Sequence, residues 1–125
     1  DGTASKLGAA QLEALDKRVQ DAGTEVVKAK NGKGSATLSM AYAGAKFGST
    51  VLAGLAGERR TTCAYVMSSI TDLPFFTSKA TFGPKGLEEV HPIGAMTPYE
   101  QRRLAEATKQ LKEEIDAGIS SLSKL

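Results

Sequence analysis

One cysteine and one histidine are all the chain has of the two side chains that most often bind metals. Cys63 alone cannot close an intrachain disulfide, and His91 alone leaves no cluster with metal-ligand spacing, so the composition predicts an intracellular, metal-free chain. Neither sign of charge is in clear excess: 16 Lys and Arg stand against 14 Asp and Glu, a net charge of +2. That balance gives no electrostatic reason to expect nucleic acid. A long uninterrupted apolar run is also missing. The stretch Leu38–Gly57 is broken by Lys46 and filled with Gly, Ala, Ser and Thr, which suits a packed helix better than a membrane span. Residues Asp1–Ser5 have neither the basic start nor the apolar run of a secretory signal.

What is there suits one folded domain. Hydrophobic residues make up 41% of the 125 positions and charged ones 24%, enough apolar content to bury a core in a chain of single-domain length. From Gln11 to Lys30 the apolar positions Leu12, Leu15, Val19, Ala22 and Val26 recur in steps of three and four, one face of a helix. Gly23 weakens its middle and Asn31-Gly32-Lys33-Gly34 ends it. A second helix is expected from Ser35, whose hydroxyl can cap it, through Leu52. That helix is apolar on most sides and needs cover all round, more than a chain this short supplies.

Between Thr61 and Ile70 the composition turns to Thr, Val, Tyr and Ile, as a half-buried strand requires. Thr71-Asp72-Leu73-Pro74 reads as a turn, followed by a strand over Phe75–Phe82. Along it Phe76, Ser78, Ala80 and Phe82 lie on one side, and Thr77, Lys79 and Thr81 on the other. Gly83-Pro84-Lys85-Gly86 turns the chain again into a short strand, Leu87–Val90. Thr97-Pro98-Tyr99-Glu100 carries a cap, a first-turn proline and a capping-box glutamate, and Leu104, Thr108, Leu111, Ile115, Ile119 and Leu122 continue a helical stripe. The expected fold class is α+β, with long helices packed on an antiparallel three-stranded meander.

No complete catalytic site is visible in these residues. Gly32-Lys33-Gly34-Ser35 lacks the residue order of a phosphate-binding loop, with Gly34 after Lys33 and Lys28 where a glycine is needed, and reads as a loop-to-helix junction. His91 beside Glu88 and Glu89 has no nucleophile with it and reads as a surface histidine. Cys63 reads as a buried structural thiol. Arg59, Arg60, Lys28, Lys30 and Lys33 lack interleaved aromatics and read as solvated surface. Met40 reads as a core filler on its residue type alone. Ser123-Lys124-Leu125 is more specific: at a true C-terminus it is a peroxisomal address, read through its terminal carboxylate.

The run Ala22-Gly23-Thr24-Glu25-Val26-Val27-Lys28-Ala29-Lys30, followed by Gly34-Ser35-Ala36-Thr37-Leu38-Ser39-Met40-Ala41-Tyr42-Ala43-Gly44-Ala45, strongly resembles malate dehydrogenases of the mitochondrial, glyoxysomal and glycosomal type. The likeness extends through Ile93-Gly94, the Thr97-Pro98-Tyr99-Glu100 helix start and the closing helix, over roughly residues 11–122. The resemblance implies that residues 1–125 are the C-terminal, substrate-side part of a two-domain NAD-dependent enzyme of the lactate/malate dehydrogenase fold, interconverting malate and oxaloacetate. It also implies an N-terminal Rossmann half as partner, whose glycine-rich turn does not occur here, and a homodimer.

The family's catalytic histidine stands in a Gly-Gly-His context that His91 does not match, so the resemblance implies no catalytic residue and an inactive isolated chain. Met40 falls on the family methionine that approaches the nicotinamide end of NAD. Ala36, one turn earlier, falls beside the substrate pocket. With Ser123, Lys124 and Leu125, the resemblance points to a peroxisomal or glycosomal matrix enzyme bound by an import receptor. The alternatives are a fragment of a lactate or other 2-hydroxyacid dehydrogenase, a non-catalytic interaction domain, and a fragment that matters mainly as import cargo.

Overall fold

Helical spacing between Leu12 and Val26 produces two helices rather than one. In the computed structural model, which describes residues 7–122, α1 (Ala9–Gln20) and α2 (Ala22–Ala29) are separated by Asp21, at φ −91° and ψ 5°. The expected single helix is thus corrected to a broken one, and the break comes before Gly23. Arg18 and Glu25 join across it, with Arg18 Nη2 2.8 Å from Glu25 Oε1. The pairing lowers the Glu25 pKa and raises that of Arg18, through the hydrogen bond first and charge attraction second. At the start of α1, the Gly8 N–H donates to Gln11 Oε1 at 2.9 Å. Leu12, Leu15, Val19 and Ala22 are exposed and Val26 is half-buried, so most of the apolar stripe that predicts the helix is left uncovered.

The chain falls into two units, residues 1–46 and 47–125. In the first, α2 ends in a Schellman motif: the Asn31 N–H donates to the Lys28 carbonyl and the Gly32 N–H to the Val27 carbonyl, each at 3.0 Å. The motif needs a left-handed residue just past the cap, and Asn31 supplies it at φ 51°. Helix α3 (Thr37–Leu55) begins in this unit. Its first intrahelical bond runs from the Met40 N–H to the Ala36 carbonyl at 3.0 Å, which puts Ala36 in the capping position. The expected cap, Ser35, instead shares a hydroxyl–hydroxyl bond of 3.0 Å with Thr37.

In the second unit β1 (Arg60–Met67), β2 (Phe75–Gly83) and β3 (Gly86–Val90) form an antiparallel sheet in the order β1-β2-β3, the meander the turn residues imply. β1 stops at Met67, short of Ile70, where Ser68 turns the chain and donates its N–H to the Pro74 carbonyl at 3.1 Å. Ala64, Ala80 and Phe82 form the core, with Val51 of α3 and Val66 packed on it. The Phe47 and Phe82 rings meet edge-on at 5.5 Å, a favourable aromatic geometry. Ser78, Ala80 and Phe82 are buried on the expected face of β2, while Thr77 and Lys79 are exposed on the other. The alternation fails at Thr81, which is also buried, next to the register shift between Thr81 and Phe82.

Helix α4 (Pro98–Leu122) starts as its residues predict. The Thr97 N–H donates to Glu100 Oε2 at 2.7 Å and the Glu100 N–H returns to Thr97 Oγ1 at 3.3 Å, a reciprocal capping box. Along its stripe Ile115 is buried, Leu104, Thr108 and Leu111 are half-buried, and Ile119 and Leu122 are exposed. Among the described residues no helix is long and apolar enough to cross a membrane.

Candidate functional site

The segment from Lys30 to Met40 is where a loop hands over to the N-terminus of α3. Ala36 is half-buried and Met40, one turn on, is 69% exposed. The two lie on adjacent turns joined by the bond between the Met40 N–H and the Ala36 carbonyl. Exposure at this level overturns the core-filler reading of Met40 from residue type. A polarizable thioether on an open helix face can lie against a flat apolar ring, and a methyl side chain at Ala36 leaves space beside it. The first turn of α3 has no acidic residue, so nothing there offsets the partial positive charge of the helix start.

The loop itself is not a phosphate cradle. Gly32 belongs to the Schellman end of α2, and the loop from Asn31 to Ser35 is spanned by a side chain: Lys30 Nζ donates to the Ser35 carbonyl at 2.7 Å. The Lys33 N–H donates to the Lys30 carbonyl at 3.0 Å. Residue spacing gives no sign of the bond between Lys30 and Ser35, because it depends on the fold of the intervening loop.

Elsewhere the candidates resolve differently. Cys63 is exposed on β1, not buried, because it alternates with the core residue Ala64 and so faces the other side of the sheet. His91 is half-buried and belongs to a polar chain not foreseen from sequence. Its Nε2 is 2.7 Å from Thr81 Oγ1, which is 2.8 Å from Thr61 Oγ1, while its Nδ1 is 3.5 Å from Glu89 Oε1. The register aligns Thr61, Thr81 and Glu89 across three strands, and this juxtaposition could have been found only once strand pairing was known. Arg59 pairs with Glu88 at 3.0 Å and Arg60 with Glu58 at 2.6 Å.

On the sheet face that carries Tyr65 and Phe75, these two rings and Leu111, Ile115, Ile119 and Leu122 of α4 line an apolar cleft of about 590 Å³. Among the described residues no group of three or more His, Cys, Asp or Glu could hold a metal ion. Ser123, Lys124 and Leu125 lie outside the described residues.

These elements define an α+β domain in which a helix start with an open face precedes an antiparallel meander and a long capped helix. Residues 3–122 match the lactate/malate dehydrogenase α/β C-terminal domain, and the chain belongs to that family. Malate dehydrogenase 1, mitochondrial, of Arabidopsis thaliana is 52% identical over 109 residues, covering 86% of this chain and 32% of that protein. The glyoxysomal malate dehydrogenase of Citrullus lanatus is 48% identical over 111 residues, 88% of this chain and 31% of its own length. Malate dehydrogenase 1, peroxisomal, of Arabidopsis thaliana is 46% identical over 115 residues, 91% of this chain and 32% of its own length. The chain therefore spans about a third of the length of the curated relatives it matches.

Proposed function

We propose that this chain is the C-terminal, substrate-side part of an NAD-dependent malate dehydrogenase that interconverts malate and oxaloacetate. The observation that carries the reading is the Ala36–Met40 turn, an open helix start lying inside the stretch that relatives named malate dehydrogenase share at about half identity. Ala36 lines the substrate side, where its methyl group leaves room for a dicarboxylate. Met40 presents its thioether to the nicotinamide end of NAD, and the exposed side chain fits that contact. NAD, when bound, supplies the hydride acceptor. The residues here bind and orient, and exclude water from the reacting carbon. Acid–base chemistry belongs to a histidine upstream of the matched region in the same enzyme, so the chain alone is inactive. The exposed apolar side chains of α3, Leu38, Tyr42 and Leu52 among them, support burial against the N-terminal Rossmann half or against a second subunit of a homodimer.

With Leu125 as the true C-terminus, Ser123-Lys124-Leu125 supports a peroxisomal or glycosomal matrix enzyme captured by an import receptor. Relatives named mitochondrial match at comparable identity, so the tail carries this part of the proposal. Deletion of Leu125 is expected to abolish receptor binding, and unchanged binding would sink the compartment assignment.

The deciding experiment is intact mass on the native protein followed by an NADH-linked assay on the same material. A mass of twice 13.1 kDa or more, with oxaloacetate turned over in preference to pyruvate, supports the proposal. Preference for pyruvate makes it a lactate dehydrogenase instead, and full malate activity from residues 1–125 alone overturns the division of labour.

A further inference from the structure

We propose that Lys30 is a positioning residue that decides where α3 begins, and so where Ala36 stands; the proposal rests on the functional reading of the Ala36–Met40 turn. Three bonds converge on this lysine. Its N–H closes α2 on the Val26 carbonyl at 3.1 Å, its carbonyl accepts from the Lys33 N–H at 3.0 Å, and its ammonium reaches forward to the Ser35 carbonyl at 2.7 Å. The stem of the side chain passes Gly34: a Cβ there would meet Lys30 Cδ at 3.6 Å. Lys30 thus ties the end of α2 to the residue just before Ala36.

The third bond has a specific consequence for the helix. A helix capped by Ser35 would use the Ser35 carbonyl to accept its first intrahelical bond, from the Ser39 N–H, four residues on. Lys30 engages that carbonyl, and the first bond observed runs one residue later, from Met40 to Ala36. Ala36 is therefore held in the capping position instead of the first turn. Without the ammonium the helix can extend back by one residue, which rotates Ala36 into the helix and changes the wall it presents to a substrate.

The test uses the full-length enzyme that carries this chain, with Lys30→Met, which keeps most of the stem and removes the donor, and Lys30→Arg, which keeps a donor of similar reach. In Lys30→Met the Ser39 amide is expected to gain protection from hydrogen exchange. The KM for oxaloacetate is expected to rise about threefold to tenfold, the worth of one ordinary hydrogen bond, as suits an exposed lysine, with kcat changed far less. Lys30→Arg is expected to restore both. An active wild type whose KM is unmoved by Lys30→Met, or moved equally by Lys30→Arg, overturns the positioning role. A wild type that does not turn over oxaloacetate overturns the functional reading, and Ser39 exchange then decides by itself whether Lys30 sets the start of α3.

Discussion

A Cβ added to Gly54 would stand 2.9 Å from both the carbonyl carbon and the carbonyl oxygen of Phe82, so α3 and β2 touch backbone to backbone at this point. The contact explains why a helix-weakening glycine is kept in the last turn of α3, at the only buried position of that helix among the described residues. Alanine would gain the helix about 0.5–1 kcal/mol in backbone entropy, but it would force the strand away, and overpacking of this kind costs about 1–3 kcal/mol. Gly54→Ala is therefore expected to lower the urea midpoint, and Gly54→Val to lower it further. A stabilised Gly54→Ala variant would show that the two backbones can separate without loss.

The capping box of α4 makes a pH-dependent contribution. Bonds from the Thr97 N–H and hydroxyl hold the Glu100 pKa below the usual carboxylate range, the backbone bond contributing most. A depressed folded-state value stabilises the fold fully above the unfolded-state pKa, and the contribution is lost as pH falls through the folded-state value. The stability gap between wild type and Glu100→Gln should accordingly be widest near neutral pH and narrow in acid, as measured by thermal unfolding across that range. Thr97→Ala removes the cap itself and is expected to cost about 0.5–2 kcal/mol.

How much of this was legible in the sequence depended on how local its cause is. The α4 start was readable because Thr97, Pro98 and Glu100 act on one another within a single turn. The meander was readable because turn residues at Thr71–Pro74 and Gly83–Gly86 separate runs of β-forming side chains. The break at Asp21 was not, since the apolar spacing of Leu12 to Val26 continues across it while the backbone does not. Ser35 has the better capping side chain, yet Lys30, the residue that closes the preceding helix, holds its carbonyl and the helix starts one residue on. Cys63 reads as a buried thiol for want of an activating partner, but strand alternation has two phases, and only pairing with β2 decides that Ala64 faces inward. In the candidate site, Met40 and Ala36 rested on family resemblance, and residue type alone would have placed Met40 in the core.

Thr81 offers a test of the polar chain that strand register assembles. Its buried hydroxyl bridges Thr61 and His91 at 2.8 and 2.7 Å. Thr81→Val keeps the branched shape and deletes the oxygen, leaving the His91 ring nitrogen and the Thr61 hydroxyl without their shared partner. Because both of those side chains can still reach water, the expected loss is that of ordinary hydrogen bonds, about 0.5–1.5 kcal/mol each. Thr81→Ser keeps the oxygen and should recover most of it. Chemical denaturation of both variants measures the difference, and equal stability of Thr81→Val and wild type would mean the chain contributes nothing net.

The substrate-side role of Ala36 can be separated from any structural one because of where it sits. Alanine and leucine are both poor helix caps, and Ala36 is only half-buried, so Ala36→Leu should leave the melting temperature of the full-length enzyme nearly unchanged. If the residue lines the pocket, the added branch occupies space a dicarboxylate needs. A single methylene can shift discrimination about tenfold or more, and the KM for oxaloacetate should rise by at least that factor. Binding of NADH, which the proposal assigns to Met40 and the N-terminal half, should change much less. Steady-state kinetics with oxaloacetate varied, together with NADH fluorescence titration, distinguishes these effects. Unaltered kinetics in a normally folded Ala36→Leu enzyme would remove Ala36 from the substrate wall while leaving the family assignment intact.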